Sequence, residues 1–456
     1  MWPVRRSLSA GTFLLAGAIG LAGPALADAG DWDLAGGSVE QVRVQSAQVI
    51  EVPRRDTVIR RGETVTSRKR PDLEALGGRI GSFLVFPSLG VREEYSDNIF
   101  ATDVDEQSDF ITRIQPALRI NSDWSNHSLS LQGSGDIGRY IDNGDENFED
   151  FQVGLSGRVD VQRSTNVRGR LRYQKSHEER GSPDDVNGAE PTEYDVFSAN
   201  VRGFHNFGRI NLTLSGSYRS LDFDDVPTST GVIINNDDRD RDIFEGSLRV
   251  AYEIVPEYEA YIRGAYNFRD YDSEVGAPPP SIPLDRDSDG FGIVAGVEVD
   301  FGGLVFGDFF AGYKSQNYVD SRLDTVDQPT AGAEIIWNVT RLTTIIGSIE
   351  RDIVETTFVD SSGRPSSGRF LTTGRLSADH ELLRNLLIGV DAGVTHDDFE
   401  GTDRTDLLYV AGIDATYMMN RYFYISGGYT FRKRDSDLST EDYTENVFML
   451  RLRVQY

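Results

Sequence analysis

The side chains best suited to binding or catalysis stand in short acidic and histidine-containing clusters. Asp285, Asp287 and Asp289 in "DRDSDG" place hard oxygen ligands at alternate positions, as at the start of a calcium-binding loop. The twelfth position from Asp285 is Gly296, not the glutamate that completes such a loop. The pattern leaves two alternatives, a Ca²⁺ site and a hydrated acidic loop, and no other cofactor is expected.

Histidine is the usual general base, and two of the five histidines precede acidic pairs. These are His177 and His396, and neither is accompanied by the serine motif of a hydrolase. The chain contains no cysteine, which excludes thiol catalysis, disulfides and cysteine-bound metals. We therefore expect no enzymatic activity and assign no catalytic residue.

A third group consists of arginines at every second position. In "NVRGRLRYQ", Arg168, Arg170 and Arg172 alternate with Val167, Gly169 and Leu171. Alternate residues of a strand project from opposite faces, so the three arginines share one face. The same alternation assigns further arginines to a charged face: Arg158, Arg202, Arg249, Arg263, Arg451 and Arg453.

Strands are the elements that must position these arginines. From Phe83 onward, segments of about 10–15 residues alternate apolar with polar or small residues, and no comparable segment has a 3.6-residue period. The connections between segments alternate between short and long. The net charge of -27 is concentrated in five acidic segments, all in long connections: 97–109, 175–193, 222–242, 270–289 and 435–445.

Sorting the connections by length is typical of a bacterial outer-membrane barrel, with short periplasmic turns and long extracellular loops. Counting segments predicts an all-β, transmembrane antiparallel barrel of about 18 strands, with 16 as the alternative. Aromatic residues near the long loops predict an interfacial girdle: Tyr140, Tyr173, Tyr218, Phe268, Tyr318, Phe399 and Phe431.

If the strands form a barrel in a membrane, one face of each strand contacts lipid and the other contacts water in the lumen. An arginine on the lipid face near the midplane costs roughly 2–4 kcal/mol, so three on one strand would cost on the order of 6–12 kcal/mol. The arginines are therefore predicted to line the lumen. They would either attract anionic solutes or pair with acidic residues across strands, and the sequence leaves both alternatives open.

The N-terminal region predicts export. Arg5 and Arg6, an apolar run over 8–23 and an A-x-A site ending at Ala27 indicate a secretory signal peptide over 1–27. Residues 28–79 follow as a basic, flexible periplasmic extension, and the barrel is expected over 80–456. The mature chain has no apolar run of 18 residues, so the predicted location is the outer membrane of a Gram-negative bacterium.

The segment "VFMLRLRVQY" predicts both the closure of the barrel and its assembly. Its alternation sets Arg451 and Arg453 against a lipid face, and we expect the strand to close on the segment near 83–95. The terminal aromatic also resembles the signal read by the barrel-assembly machinery. The residues of this expected assembly signal are Phe448, Leu450, Leu452, Val454 and Tyr456.

The stretch "FPSLGVREEYSDNIFATDVDEQSDFITRIQPALRI", residues 86–120, resembles the beginning of a known family. It is similar to outer-membrane barrels of the beta-barrel porin type 2 kind, often encoded with exopolysaccharide synthesis and export genes. The resemblance covers about 80–456. It implies a channel or accessory component in surface polysaccharide export, with polysaccharide or export-apparatus proteins as partners, and it carries over no catalytic residue.

Two other functions remain open from the residues. One is a diffusion porin for small, anionic solutes, and the other is a structural or adhesive surface protein with calcium-binding acidic loops. In each case we expect contacts with outer-membrane lipid and lipopolysaccharide. The acidic balance argues against nucleic acid as a partner.

Overall fold

The computed structural model describes residues 63–272 and 284–456. The predicted signal peptide and residues 28–62 of the predicted extension lie outside the described residues. Within the described ranges, no helix has the length and apolar character needed to cross a membrane.

Eighteen long strands make up most of the described chain. The first nine are β1 (Phe83–Ser96), β2 (Asp109–Ser122), β3 (Ser128–Tyr140), β4 (Phe148–Gln162), β5 (Thr165–His177), β6 (Glu193–Asn206), β7 (Ile210–Phe223), β8 (Arg241–Val255) and β9 (Tyr258–Tyr271). The second nine are β10 (Ser288–Phe301), β11 (Val305–Tyr318), β12 (Val326–Thr340), β13 (Thr343–Val354), β14 (Gly368–Leu383), β15 (Leu386–Glu400), β16 (Thr405–Met418), β17 (Phe423–Ser436) and β18 (Tyr443–Gln455).

Three short strands, Gly78–Ile80, Val226–Pro227 and Ile233–Ile234, lie before or between the long ones. Three single 3₁₀ turns, Gly144–Glu146, Asp237–Arg239 and Ser439–Glu441, lie in the loops at one end. That end, where the long connections lie, is called the long-loop end below. The opposite end, which carries the tight turns, is the short-turn end.

Each long strand pairs antiparallel with its neighbour in the chain, and β1 pairs with β18 to close the sheet. The closing register runs from Ser88 opposite Gln455 to Ser96 opposite Val447. The predicted closed antiparallel barrel of 18 strands is therefore confirmed, and closure leaves neither end strand as an exposed edge.

The alternation seen in the sequence becomes an inside and an outside. On β5, Val167, Leu171 and Tyr173 are exposed on the outer face, and the arginines between them face the lumen. Pro116 locally interrupts the ladder between β2 and β3, which pairs up to Ile114 and resumes at Ala117. A proline has no backbone N–H to donate, so the gap follows directly from the residue type.

Packing divides the interior into a filled side and an open side. Ala251, Tyr261 and Val294 are buried against one another, with Phe310 packed on them, along the inner faces of β8–β11. Gly296 permits this packing because a Cβ there would lie 2.4 Å from the Tyr261 ring. The remaining space lies along β18 and β1–β5.

The aromatic girdle predicted at the long-loop end is only partly correct. Tyr173 and Phe268 lie on the outer face as expected. Phe399 is fully buried instead, with its ring against Phe358 and the Arg404 guanidinium. The Tyr318 hydroxyl points inward and donates to Glu355 over 3.2 Å. The loops of this end fold over the barrel mouth and bury aromatics that the strand pattern alone assigns to the interface.

Candidate functional site

A cavity of about 1160 Å³ occupies the open side of the barrel. Its floor includes Glu74 and Ala75, and its upper part reaches His177 and Glu179. Glutamine and serine side chains of β2–β5 supply much of the remaining polar lining. Eight arginines contribute to the wall: Arg92, Arg113, Arg119, Arg158, Arg170, Arg172, Arg451 and Arg453.

The structure brings together five of the nine arginines assigned to the lumen from sequence, namely Arg158, Arg170, Arg172, Arg451 and Arg453. It adds three that the sequence reasoning missed, on β1 and β2. Arg113 and Arg119 stand an even number of residues apart in "TRIQPALR", so the same alternation could have found them. Arg92 is followed directly by Glu93 and Glu94, and three consecutive charged residues interrupt the alternation that would indicate its face.

The strand register sets arginines directly opposite one another in two rows. Across β2, β1 and β18, Arg113 is opposite Arg92, and Arg92 is opposite Arg451; we call this the seam row. Across β4, β5 and β6, Arg158 is opposite Arg168, and Arg168 is opposite Arg202; we call this the β4–β6 row. Arg168 and Arg202 thus continue the charged wall beyond the cavity.

Carboxylates compensate part of the seam row. Arg113 donates from Nε and Nη2 to Asp136 over 3.1 and 2.6 Å, and from Nη1 to Glu94 over 3.3 Å. Arg92 also pairs with Glu94. The Nε of Arg451 is buried without a hydrogen-bond partner. Asp136 and Glu94 are therefore the carboxylates that contact the seam row directly.

Polar side chains also hold arginines of the wall on β4 and β5. Arg158 donates from Nε to Asp160 over 2.8 Å. Farther along β5, Arg172 donates from Nε to the neutral side chain of Gln152 over 3.0 Å. Both contacts hold guanidinium groups in place along the lumen, and only the first neutralises charge.

Arg249 and Arg263 lie elsewhere, on the filled side. Arg249 pairs with Glu259 over 2.9 Å and with Glu298 over 2.5 Å, and its guanidinium lies 4.1 Å from the Tyr261 ring centre. Arg263 lies over Phe310. These two arginines hold the filled corner together, whereas those of the cavity wall face open space.

The β5–β6 connection, residues 178–192, crosses the long-loop end; we call it the crossing loop. At its near side, Arg239 holds Glu178 with two hydrogen bonds of 2.8 and 2.9 Å. Arg180 donates to Glu146 over 2.8 Å. Both partners belong to neighbouring loops of β3–β4 and β7–β8.

The far side of the crossing loop is bound by strands and loops across the mouth. Thr356 donates to Asp184 over 2.5 Å, and Arg404 donates to the carbonyl oxygen of Pro183 over 3.3 Å. Arg434 of β17 donates to the Gly181 carbonyl oxygen. The loop thus spans from β5 to β13–β17 and covers the arginine-lined cavity.

Burial raises the pKa of two carboxyl groups of the crossing loop. Burial raises the pKa of Asp185 to about 7, against the opposing effect of Arg180 at 3.8 Å. Burial also raises the pKa of Glu179 to about 7, against the effect of Arg113. The docked loop therefore holds protons more tightly than a solvated loop, whose carboxyls titrate near ~4.

We expect docking of the crossing loop to be pH dependent. Because these folded pKa values are raised, their contribution to docking is complete below ~4 and is lost as the pH rises through about 7. Undocking uncovers the cavity, so any ion conductance through the barrel in planar bilayers should increase from pH 6 to pH 8. Asp185→Asn combined with Glu179→Gln should flatten the profile, whereas Asp103→Asn, at an exposed position, should not.

The predicted calcium ligands have separate partners. Asp285 accepts the backbone N–H of Asp287 over 3.0 Å, and Asp287 accepts that of Tyr271 over 2.7 Å. Asp289 lies on β10 and accepts the Tyr266 hydroxyl over 3.3 Å. In the described part of the chain, no group of three or more acidic or histidine side chains is arranged to hold a metal ion.

His177, one of the two histidines beside acidic pairs, contacts a different carboxylate. Its Nδ1 lies 3.0 Å from Asp150, and its ring stacks on Phe148 at 4.0 Å between centres. The imidazole thus packs at the end of β5, above the cavity.

Comparison with known proteins adds a family and a fold. The family model described as "Putative beta-barrel porin 2" matches residues 70–456. No curated protein matches the chain. Among solved structures, the siderophore receptor PiuA from Acinetobacter baumannii is 10% identical, with 83% of this chain and 82% of that chain covered and a TM-score of 0.47.

The outer membrane protein OpdK from Pseudomonas aeruginosa is also 10% identical, with 82% of this chain and 99% of that chain covered and a TM-score of 0.43. OpdL from the same organism is 11% identical, with 82% and 99% covered and a TM-score of 0.42. Such values support no inference about a transported molecule.

Proposed function

Because the chain belongs to the putative beta-barrel porin 2 family and is an outer-membrane β-barrel, we propose that it is a channel selective for anionic solutes. The observation that carries this proposal is the pair of arginine rows on the inner wall. The tight turns would face the periplasm, together with the N-terminal segment, and the acidic loops would face outward.

The rows favour a role in selectivity because they lower the stability of the sheet and so have no structural benefit of their own. Like charges directly opposite on neighbouring strands are destabilising, and both rows set three guanidinium groups side by side. On the filled side, Arg249 is also opposite Arg263, but two carboxylates, Glu259 and Glu298, form ion pairs with Arg249 there. An anion in the cavity gains from several guanidinium donors at once.

Replacing the β4–β6 row tests the proposal. We expect Arg158→Gln, Arg168→Gln and Arg202→Gln together to reduce the anion-to-cation permeability ratio several-fold. The measurement is the reversal potential in planar bilayers under a KCl gradient. A triple variant with the same net charge, Arg79→Gln, Arg139→Gln and Arg322→Gln, removes exposed arginines outside the lumen and should keep the wild-type ratio.

A wild-type channel without anion preference, or one whose preference survives loss of the β4–β6 row, contradicts the proposal. A heat-modifiable band on gels establishes that each variant is folded. The two triple variants share their formal charge, so a difference between them reports on the lumen and not on the charge of the whole protein.

We further infer that the anions include acidic surface polysaccharide in transit, and this inference rests on the resemblance of residues 86–120. Both arginine rows face one side of the lumen, which suits contact with successive charges of an extended polymer. Deletion of the gene should lower exported acidic polysaccharide and leave the amount retained in the cell unchanged or increased. An unchanged surface polysaccharide would leave only the small-solute channel.

A further inference from the structure

We propose that residues 63–77 form a displaceable plug at the short-turn mouth, held in place by an arginine clamp on Glu381. From sequence, this segment belongs to the basic extension over 28–79, which would be either a flexible, solvated linker or a binding segment. Val65 is 0% exposed and Arg70 4% exposed. The segment lies inside the mouth of the barrel and not beneath it, because its partners are inward-facing residues of β13, β14 and β17.

The clamp is a buried ion pair with supporting hydrogen bonds. Arg70 donates from Nη2 to Glu381 over 2.8 Å, and the same group bonds to the Val65 carbonyl oxygen over 2.9 Å. Arg68 adds a second guanidinium 3.7 Å from Glu381. Losing one partner of a buried ion pair leaves an uncompensated charge, so the clamp depends strongly on each of its members.

Two further contacts fix the segment to strands on either side of β14. The backbone N–H of Val65 donates to Thr344 Oγ1 of β13 over 2.9 Å. The Tyr424 hydroxyl of β17 donates to the carbonyl oxygen of Leu73 over 2.6 Å. The segment therefore lies between β13 and β17, and Glu74 and Ala75 form part of the floor of the arginine-lined cavity.

The attachment to the barrel allows movement. Residues 63–77 make no strand pairing with the barrel, and the first pairing begins at Gly78 opposite Val85. Gly77 has a positive φ of 72°, and Gly81 one of 59°. Glycine tolerates such angles without strain, so these residues join the segment to β1 through a permissive backbone. Breaking the clamp would release the segment without disturbing a ladder.

The proposed role of the plug is separate from the anion selectivity proposed for the arginine rows. The arginine rows decide which solutes enter favourably, whereas the segment decides whether the short-turn mouth is open. A plug would also place the carboxylate of Glu74 beside the arginine wall when closed and remove it when open. The two proposals can therefore fail separately.

Thiol labelling tests the plug directly because the chain contains no cysteine. In the purified full-length protein, Val65→Cys should react slowly with a membrane-impermeant maleimide. Adding Glu381→Gln should accelerate the labelling at least tenfold. Leu76→Cys, at a position that is 62% exposed, is the matched control and should label rapidly in both backgrounds.

Rapid labelling of Val65→Cys with Glu381 intact would overturn the plug, and so would slow labelling that Glu381→Gln leaves unchanged. A disulfide between Val65→Cys and Thr344→Cys provides a functional readout. We expect reduction of this lock to raise channel conductance at least twofold, and equal conductance before and after would also overturn the proposal. Labelling does not depend on ion selectivity, so its result stands whichever anions the channel prefers.

Discussion

Deleting residues 447–456 is expected to abolish assembly of the barrel in the membrane. The deletion removes the part of β18 that pairs with β1 from Ser88 to Ser96 and with β17 from Phe423 to Thr430. The remaining sheet would have two open edges in an apolar solvent, where each unsatisfied backbone group costs several kcal/mol. Membrane fractions should contain no heat-modifiable form of the truncated protein.

A single substitution separates pairing from recognition in this region. Tyr456 contributes a stacking contact with Tyr422 and one backbone hydrogen bond to Pro87. Tyr456→Ala should therefore refold into liposomes to nearly the wild-type extent. If residues 448–456 are read by the assembly machinery, as we predict from sequence, the same variant should accumulate slowly in cells. Normal insertion of the truncated chain would contradict the role of β18 in closure.

The second large effect concerns the outer face of β5. Leu171→Arg is expected to lower the free energy of unfolding by roughly 2–4 kcal/mol, because the guanidinium would enter lipid near the midplane. Leu171 is 47% exposed and stands opposite Leu155 and Ala199 on the neighbouring strands. Urea titration of the protein in liposomes, followed by tryptophan fluorescence, measures the change.

The matched control exchanges the same residue types on the inner face of β5. Arg170→Leu alters an exposed lumen position and should change the unfolding free energy by no more than ~0.5 kcal/mol, as is usual for a substitution away from packed features. If Leu171→Arg were as harmless as Arg170→Leu, the outer face of β5 would not be in contact with lipid.

The barrel could be predicted because its causes are local. Arg170 and Leu171 project from opposite faces because of the pleat of the strand. The free-energy cost of placing a guanidinium group in lipid decides that Arg170 faces inward. The number of strands followed from the alternation of short and long connections, since each further pair of strands adds one short turn and one long loop. These features need no knowledge of which strand lies next to which.

The arginine rows could not be predicted, because they depend on the pairing register between strands. The residue pattern of a single strand does not contain that register. Alternation places Arg92 and Arg451 on inner faces, but only the closing ladder sets them opposite each other. Likewise, the pattern treats Arg249 and Arg170 alike, although one is paired on the filled side and the other lines the cavity. The difference arises from packing of Tyr261 and Phe310 across several strands.

Segments without periodicity could not be placed at all. Residues 63–77 and the crossing loop contain basic and acidic residues that are equally consistent with solvation. Their positions depend on single partners far away in the chain, such as Glu381 for Arg70 and Arg434 for Gly181. No local rule connects residues separated by 311 or 253 positions.

Closure of β1 on β18 also sets an order of events in time. Asp97 and Asn446, which bond beside the closing ladder, are 349 positions apart, so we expect this junction to form after the hairpins between neighbouring strands. Pairings between such distant residues form slowly because a long stretch of chain must be brought together first. The crossing loop binds to both halves of the sheet, so we expect it to dock after that moment. We therefore expect a newly made barrel to pass from an open sheet to an uncovered tube before the crossing loop docks.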